Sequence, residues 1–151
     1  NGYQLDGRLV SAVHHYTLRV QYEDTDTGGI VYHAKYLAFA ERARSAWLRC
    51  LGIDQPRLLA DNSSGFVVRH IEVDYVQAVS LFTVLEIKSE VMKTGGASVK
   101  LQQSITNMQS CHIVARLVVD IGFVKFEVKG GTRACRMPQY IRDRLTDNHQ
   151  G

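Results

Sequence analysis

Three carboxylates, Glu23, Asp24 and Asp26, crowd into four positions of the stretch Glu23-Asp-Thr-Asp-Thr-Gly-Gly29. A glycine pair such as Gly28 and Gly29 permits positive φ and lets a ligand come close to the backbone. A helical period begins just beyond, and Ile30, Val31 and Tyr32 offer no capping side chain. The first helical N–H groups then lack a local acceptor. With the positive end of the helix dipole they could receive a developing oxyanion. A carboxylate beside oxyanion donors is the equipment of acyl transfer. Asp26 could activate water as a general base, or attack the carbonyl itself to give a mixed anhydride. An aspartate with an ordinary pKa of about 3.9 is a weak base at neutral pH, so the substrate must be reactive. A thioester qualifies, because a thiol with a pKa near about 8.5 departs with little acid help. His33 is therefore as well suited to orienting or binding as to donating a proton. From spacing alone the bland reading is stronger: aspartates in such turns usually accept bonds from their own backbone.

The elements that must position this segment are legible from periodicity. Tyr16, Leu18, Val20 and Tyr22 alternate with Thr17, Arg19 and Gln21, a half-buried strand. From about Tyr32 to Leu51 the period becomes helical: Tyr36, Phe39, Ala40, Ala43, Ala46, Trp47, Cys50 and Leu51 share a sector that Leu37 and Leu48 widen. Lys35, Arg42, Ser45 and Arg49 lie opposite. So wide an apolar arc predicts a deeply buried helix, stopped at Gly52. Arg44 falls inside that arc, and a structural (i, i+3) ion pair with Glu41 is the simplest way to accommodate it.

Phe66 to Tyr75, Leu81 to Val91, Val99 to Ile105 and Ile113 to Phe123 read as strands, with a turn at Lys93-Thr-Gly-Gly96. Pro138 is expected to open a short terminal helix through about Leu145. One helix cannot cover a sheet on both faces. The economical arrangement is an α+β domain, a curved antiparallel sheet wrapped around one long helix. Its unpaired edges would favour a dimer.

The chain has 151 residues, 45% hydrophobic and 22% charged, with a net charge of +3, as expected of a single globular domain. No dense basic block predicts nucleic-acid binding. Cys50, Cys111 and Cys135 are odd in number and far apart, which argues against a disulfide framework and a zinc site. Asn1 to Val13 does not read as a signal peptide, and no apolar run is long enough to predict a transmembrane helix. A cytoplasmic setting is expected. Phosphate-loop, dinucleotide and nucleophile-elbow motifs are missing.

The block Tyr22-Glu-Asp-Thr-Asp-Thr-Gly-Gly-Ile-Val-Tyr-His33, with Tyr36, Phe39 and Glu41-Arg-Ala-Arg44, closely resembles the acyl-CoA thioesterases of the 4-hydroxybenzoyl-CoA thioesterase-like family. Within that family it is most similar to the tol-pal-associated branch. The resemblance extends over roughly residues 16–140, through Phe66-Val-Val-Arg69 and Gly95-Gly96, and places the core of a single domain there, with flexible ends. It implies the hot-dog fold and a homodimer or homotetramer with active sites at the dimer interface. Asp26 would be the catalytic carboxylate, nucleophile or general base. His33 would sit in the active site, with its backbone N–H polarising the thioester carbonyl; Tyr32, Gly28 and Gly29 would serve as oxyanion or positioning groups. CoA would be part of the substrate, with no separate metal or redox cofactor. Lys93, Arg133 and Arg136 are candidates for the CoA phosphates. Arg133 and Arg136, with Lys129, lie in a tail, Phe123 to Met137, that departs from the family pattern, so a solvated tail competes evenly with that role.

Two other readings stand beside hydrolysis. A hot-dog hydratase or dehydratase would want a His paired with a carboxylate beside a proline-rich entrance, and no proline occurs there. A non-catalytic module binding acyl-CoA or acyl carrier protein would keep Asp26 and His33 without turnover.

Overall fold

The computed structural model describes residues 5–150, with side chains described as far as Thr146. Seven strands form one antiparallel sheet: β1 (Arg8–Val10), β2 (Val13–Arg19), β3 (Ser64–Tyr75), β4 (Val84–Thr94), β5 (Ser98–Asn107), β6 (Ile113–Phe126) and β7 (Thr132–Ala134). Their order is β1-β2-β4-β5-β6-β3, with β7 paired to the far end of β6. Three helices accompany them: α1 (Lys35–Cys50), α2 (Gln55–Asn62) and α3 (Gln139–Gln150). This is the hot-dog arrangement, with the sheet curving around α1.

Alternation decides which face of each strand meets the helix. On β4, Leu85, Ile87, Ser89 and Val91 are buried, while Lys88 and Glu90 are exposed. On β5, Val99, Leu101, Gln103 and Ile105 turn inward. Helix α1 buries Tyr36, Phe39, Ala40, Ala43, Arg44, Ala46, Trp47 and Leu48 against them. Each large apolar side chain so buried stabilises the fold by about 1.5–3 kcal/mol. Gly52, at φ +75°, ends the helix in a Schellman motif: its N–H donates to Arg49 O and that of Ile53 to Leu48 O, both at 2.9 Å.

Several expectations need correction. The first strand ends at Arg19, and Tyr22 belongs instead to a 3₁₀ turn, Tyr22–Asp24. Helix α1 begins at Lys35 rather than near Tyr32, because residues 25–31 fold back on themselves through a Thr25–Val31 bridge. Arg44 forms no ion pair with Glu41; its Nη1 donates to Gln103 Oε1 at 2.9 Å. Gln103 Nε2 in turn donates to Ala40 O and to Ser89 Oγ. Strand β5 lies directly under the helix there, so the nearest acceptor comes from the sheet.

The packed region also reaches beyond residues 16–140, since Leu9, His14, Ile141 and Leu145 all join the core. Helix α3 continues past Leu145 and shares the covering of the sheet with α1. Strand β3 carries a bulge at Arg69, between the pairs Val68–Ile121 and His70–Asp120. The Arg69 side chain lies over Gly122, where a Cβ would overlap its Nε. No helix among the described residues is long and apolar enough to cross a membrane.

Candidate active site

The loop between the 3₁₀ turn and α1 is built by its own carboxylates. Asp24 is buried: its Oδ2 accepts from Gln21 N at 2.9 Å, and its Oδ1 lies 3.4 Å from Lys35 Nζ. Its carbonyl accepts from Tyr32 N. Asp24 thus ties the loop to the start of the helix. Asp26 is exposed, and its Oδ1 accepts from Gly28 N at 2.9 Å and Ile30 N at 3.3 Å. Its main chain closes the same turn, with N donating to Ile30 O and O accepting from Gly29 N. Gly29, at φ +76°, occupies a conformation that other residues adopt only under strain. The expected turn-forming role is therefore filled, but by one carboxylate oxygen. Oδ2 has no partner among the described residues.

The loop is hooked to one end of the sheet. Val31 N donates to Val79 O, Leu81 N to Gly29 O, and Val20 N to Thr83 O. His33 follows in a turn, its ring between those of Tyr32 and Tyr75, with centroids at 5.0 and 5.8 Å. Tyr75 also meets Tyr36, whose hydroxyl is buried without a partner among the described residues. Burial first, then Tyr75, push the Tyr36 phenol above its usual pKa.

Of the backbone donors expected here, those of Gly28, Gly29 and Tyr32 are engaged inside the loop. The N–H groups of His33 and Ala34 have no acceptor among the described residues, and Ala34 provides no side-chain cap. They are the open donors at the helix entrance. The loop thus leaves one carboxylate oxygen of Asp26 without a partner, and the helix entrance leaves two amides without acceptors, among the described residues.

The basic candidates lie elsewhere. Lys93 is exposed at the far end of β4, paired in register with Lys100. Arg136 stacks against the following turn, its Nη1 3.1 Å from where a Cβ on Gly96 would stand. Arg133 sits on β7 with its Nε 2.7 Å from Glu127 Oε1. Eight residues of strand separate Val84, beside the Asp26 loop, from Lys93, and nine steps along the strand span about 30 Å. Within one chain, Asp26 and the basic cluster occupy opposite ends of the sheet.

A pocket of about 120 Å³ lies toward that same far end, between the flank of α1 and strands β3, β5 and β6. Glu41, Arg44, Ser45 and Leu48 line one side; Phe66, Val68, Val99 and Ile121 line the other. Asp26 and His33 are not among its walls. Arg44 in the pocket wall had no sequence signal beyond being one arginine on an apolar helix face, and Gln103, which holds it, had none.

A hot-dog domain with an aspartate loop at the helix entrance is the architecture of a thioesterase. The chain belongs to the thioesterase-like superfamily, whose family model matches residues 20–145. It is 42% identical over 113 residues to the acyl-CoA thioesterase YbgC of Haemophilus influenzae, covering 73% of this chain and 83% of that one. It is 40% identical over 96 residues to the acyl-CoA thioesterase YbgC of Helicobacter pylori strain 26695, covering 63% and 68% respectively. Among solved structures, a probable thioesterase from Bartonella henselae superposes with a TM-score of 0.73 at 32% identity, covering 83% of this chain and 99% of that one. A 1,4-dihydroxy-2-naphthoyl-CoA thioesterase from Synechocystis reaches 0.81 at 16% identity, covering 89% and 96%, a likeness of fold alone.

Proposed function

We propose that this enzyme hydrolyses acyl-CoA thioesters, with Asp26 acting through its free Oδ2 and the His33 and Ala34 amides receiving the carbonyl oxygen. The observation that carries the reading is the division of labour at Asp26. Gly28 and Ile30 hold Oδ1 and fix the carboxylate plane, leaving Oδ2 free for chemistry. In the nucleophilic route Oδ2 bonds to the acyl carbon, the C–S bond breaks, and the electron pair leaves with the thiolate. Water then cleaves the anhydride and restores the carboxylate. In the general-base route Oδ2 takes a proton from the water that attacks. Both routes place transient negative charge on the carbonyl oxygen, where two fixed N–H donors stabilise it. His33, flanked by two tyrosine rings, orients the thioester. CoA enters as part of the substrate rather than as a cofactor.

The working unit of this reading is a homodimer formed along β3. That strand is twelve residues long, pairs with β6 on one side, and lies last in the sheet order. A two-fold axis across an antiparallel β3–β3 pair places the start of one strand beside the end of the other. The pocket at Phe66 and Val68 then adjoins the partner's Asp26 loop, and Lys93 and Arg136 reach the same side for the CoA phosphates. The roughly 30 Å separation within one chain becomes proximity across the dimer. Val68 and Tyr75, both more than 40% exposed in the single chain, would be covered. The three free cysteines fit a cytoplasmic enzyme.

The test is free-thiol release from a panel of acyl-CoAs, short, long and aromatic, alongside carrier-protein thioesters. Release from CoA substrates by a species sedimenting as a dimer or a pair of dimers is expected. Tight binding without release would instead establish a binding module.

A further inference from the structure

We propose that Arg44, held in place by Gln103, is a specificity residue that reads a hydroxyl at the far end of a short acyl group. The inference deepens the thioesterase reading and rests on it. Arg44 is 7% exposed, yet only one of its five N–H donors has an acceptor among the described residues, namely Gln103 Oε1. Its remaining donors are not sealed in the core, so they are available to a group that enters beside them. What remains of its surface faces the pocket between α1 and β3.

Gln103 is in turn clamped by Ala40 O and Ser89 Oγ, at 3.1 and 2.9 Å. It therefore presents its carbonyl to Arg44 in a fixed direction, and the guanidinium is preorganised. The rest of the pocket is mostly apolar, with Phe66 and Val68 opposite the helix. Its size bounds the occupant. At about 120 Å³ it is close to the roughly 150 Å³ cavity that accommodates benzene in another protein. This chain's share of the site accommodates the end of an acyl chain or a single ring.

Glu41 decides which polar group fits. It lines the same pocket one turn before Arg44, without pairing to it within 4.0 Å. A hydroxyl can accept from Arg44 and donate to Glu41, using both. A terminal carboxylate would gain from Arg44 but face the Glu41 charge. A methyl would offer the guanidinium no acceptor.

The experiment compares kcat/KM for matched CoA thioesters of about four to eight carbons ending in methyl, hydroxyl or carboxylate, a range set by the pocket's size. The wild-type enzyme should favour the hydroxyl over the methyl chain by roughly tenfold or more at one length, the worth of one hydrogen bond to a charged group. Arg44→Met should bring that ratio near one. Because it is a ratio, a purely structural loss, which lowers both substrates together, does not move it. Glu41→Gln, at an exposed position, should raise the carboxylate chain relative to the hydroxyl chain, and gives an independent reading if Arg44→Met folds poorly. A wild-type ratio near one at every length overturns the inference, as does a ratio that persists in Arg44→Met or a preference for the carboxylate. Thiol release with no such preference leaves the thioesterase reading intact. No release from any thioester removes both.

Discussion

If each active site joins the Asp26 loop of one chain to the pocket of the other, two inactive variants should rescue one another. Asp26→Asn removes the free carboxylate oxygen. Ser45→Phe places a ring into the pocket of about 120 Å³ from the flank of α1, where Ser45 is half-buried. Each homodimer should lose turnover, one at its loop and the other at its pocket. In a heterodimer both lesions fall in the same site, and the second site is intact. Random assortment makes half of the dimers mixed, each with one working site of two, so about a quarter of wild-type activity should return. The assay is thiol release after co-refolding the two variants in equal amounts, with each refolded alone as a control. A site contained within one chain predicts no recovery, since every chain then carries a lesion of its own. Absence of recovery, with mixed dimers shown to have formed, would refute the composite site.

Two other perturbations test the framework. His14 is fully buried, with Nε2 2.7 Å from Asp6 O and Nδ1 unpartnered, and burial holds its pKa below the usual 6.5 despite the Asp6 carbonyl. The neighbouring charge of His15 lowers it further, and that of Asp6 opposes this. The neutral ring is therefore the native form. Its contribution to stability is complete above pH 6.5 and declines as pH falls through the lowered folded value, at no more than about 1.4 kcal/mol per pH unit. Urea melts between pH 7.5 and 5 should show that slope in the wild type and a shallower one in His14→Gln; equal slopes would contradict it. Gly29→Val forces a β-branched residue to φ +76° and should cost roughly 1–3 kcal/mol, with activity falling more than stability because the Asp26 turn deforms. Melting temperature and kcat measured together separate the two effects.

How much was legible beforehand depended on whether the information is local. The inward residues of β4 and β5 announced themselves by alternation, and the α1 face by its 3.6-residue period, because both patterns follow directly from backbone geometry. The entry to α1 lies three residues later than the periodicity indicates, since Ile30 and Val31 look like the start of an apolar helix but are bridged to Ser80 and Thr25. Strands β1 and β7 are three residues each, too short for a period to be visible. Helix α2 is too short for a visible period, but Asp54 caps it, with Oδ1 accepting from Arg57 N, and Pro56 stands in its first turn. Those were readable signals. Asp26 was visible as a turn former with catalytic potential, but which oxygen would remain free depended on the folded loop. The partner of Arg44 is 59 residues away in sequence, and no (i, i+3) rule could have found Gln103. The opposite placement of Asp26 and Arg136 is likewise a consequence of sheet topology.

The most direct test of the account is thiol release by Asp26→Asn on the best acyl-CoA substrate, with substrate affinity and melting temperature measured on the same sample. The account predicts that turnover is abolished while binding and stability stay close to wild type, because the asparagine keeps an oxygen to accept from Gly28 and Ile30. Full turnover in a well-folded Asp26→Asn enzyme would contradict it.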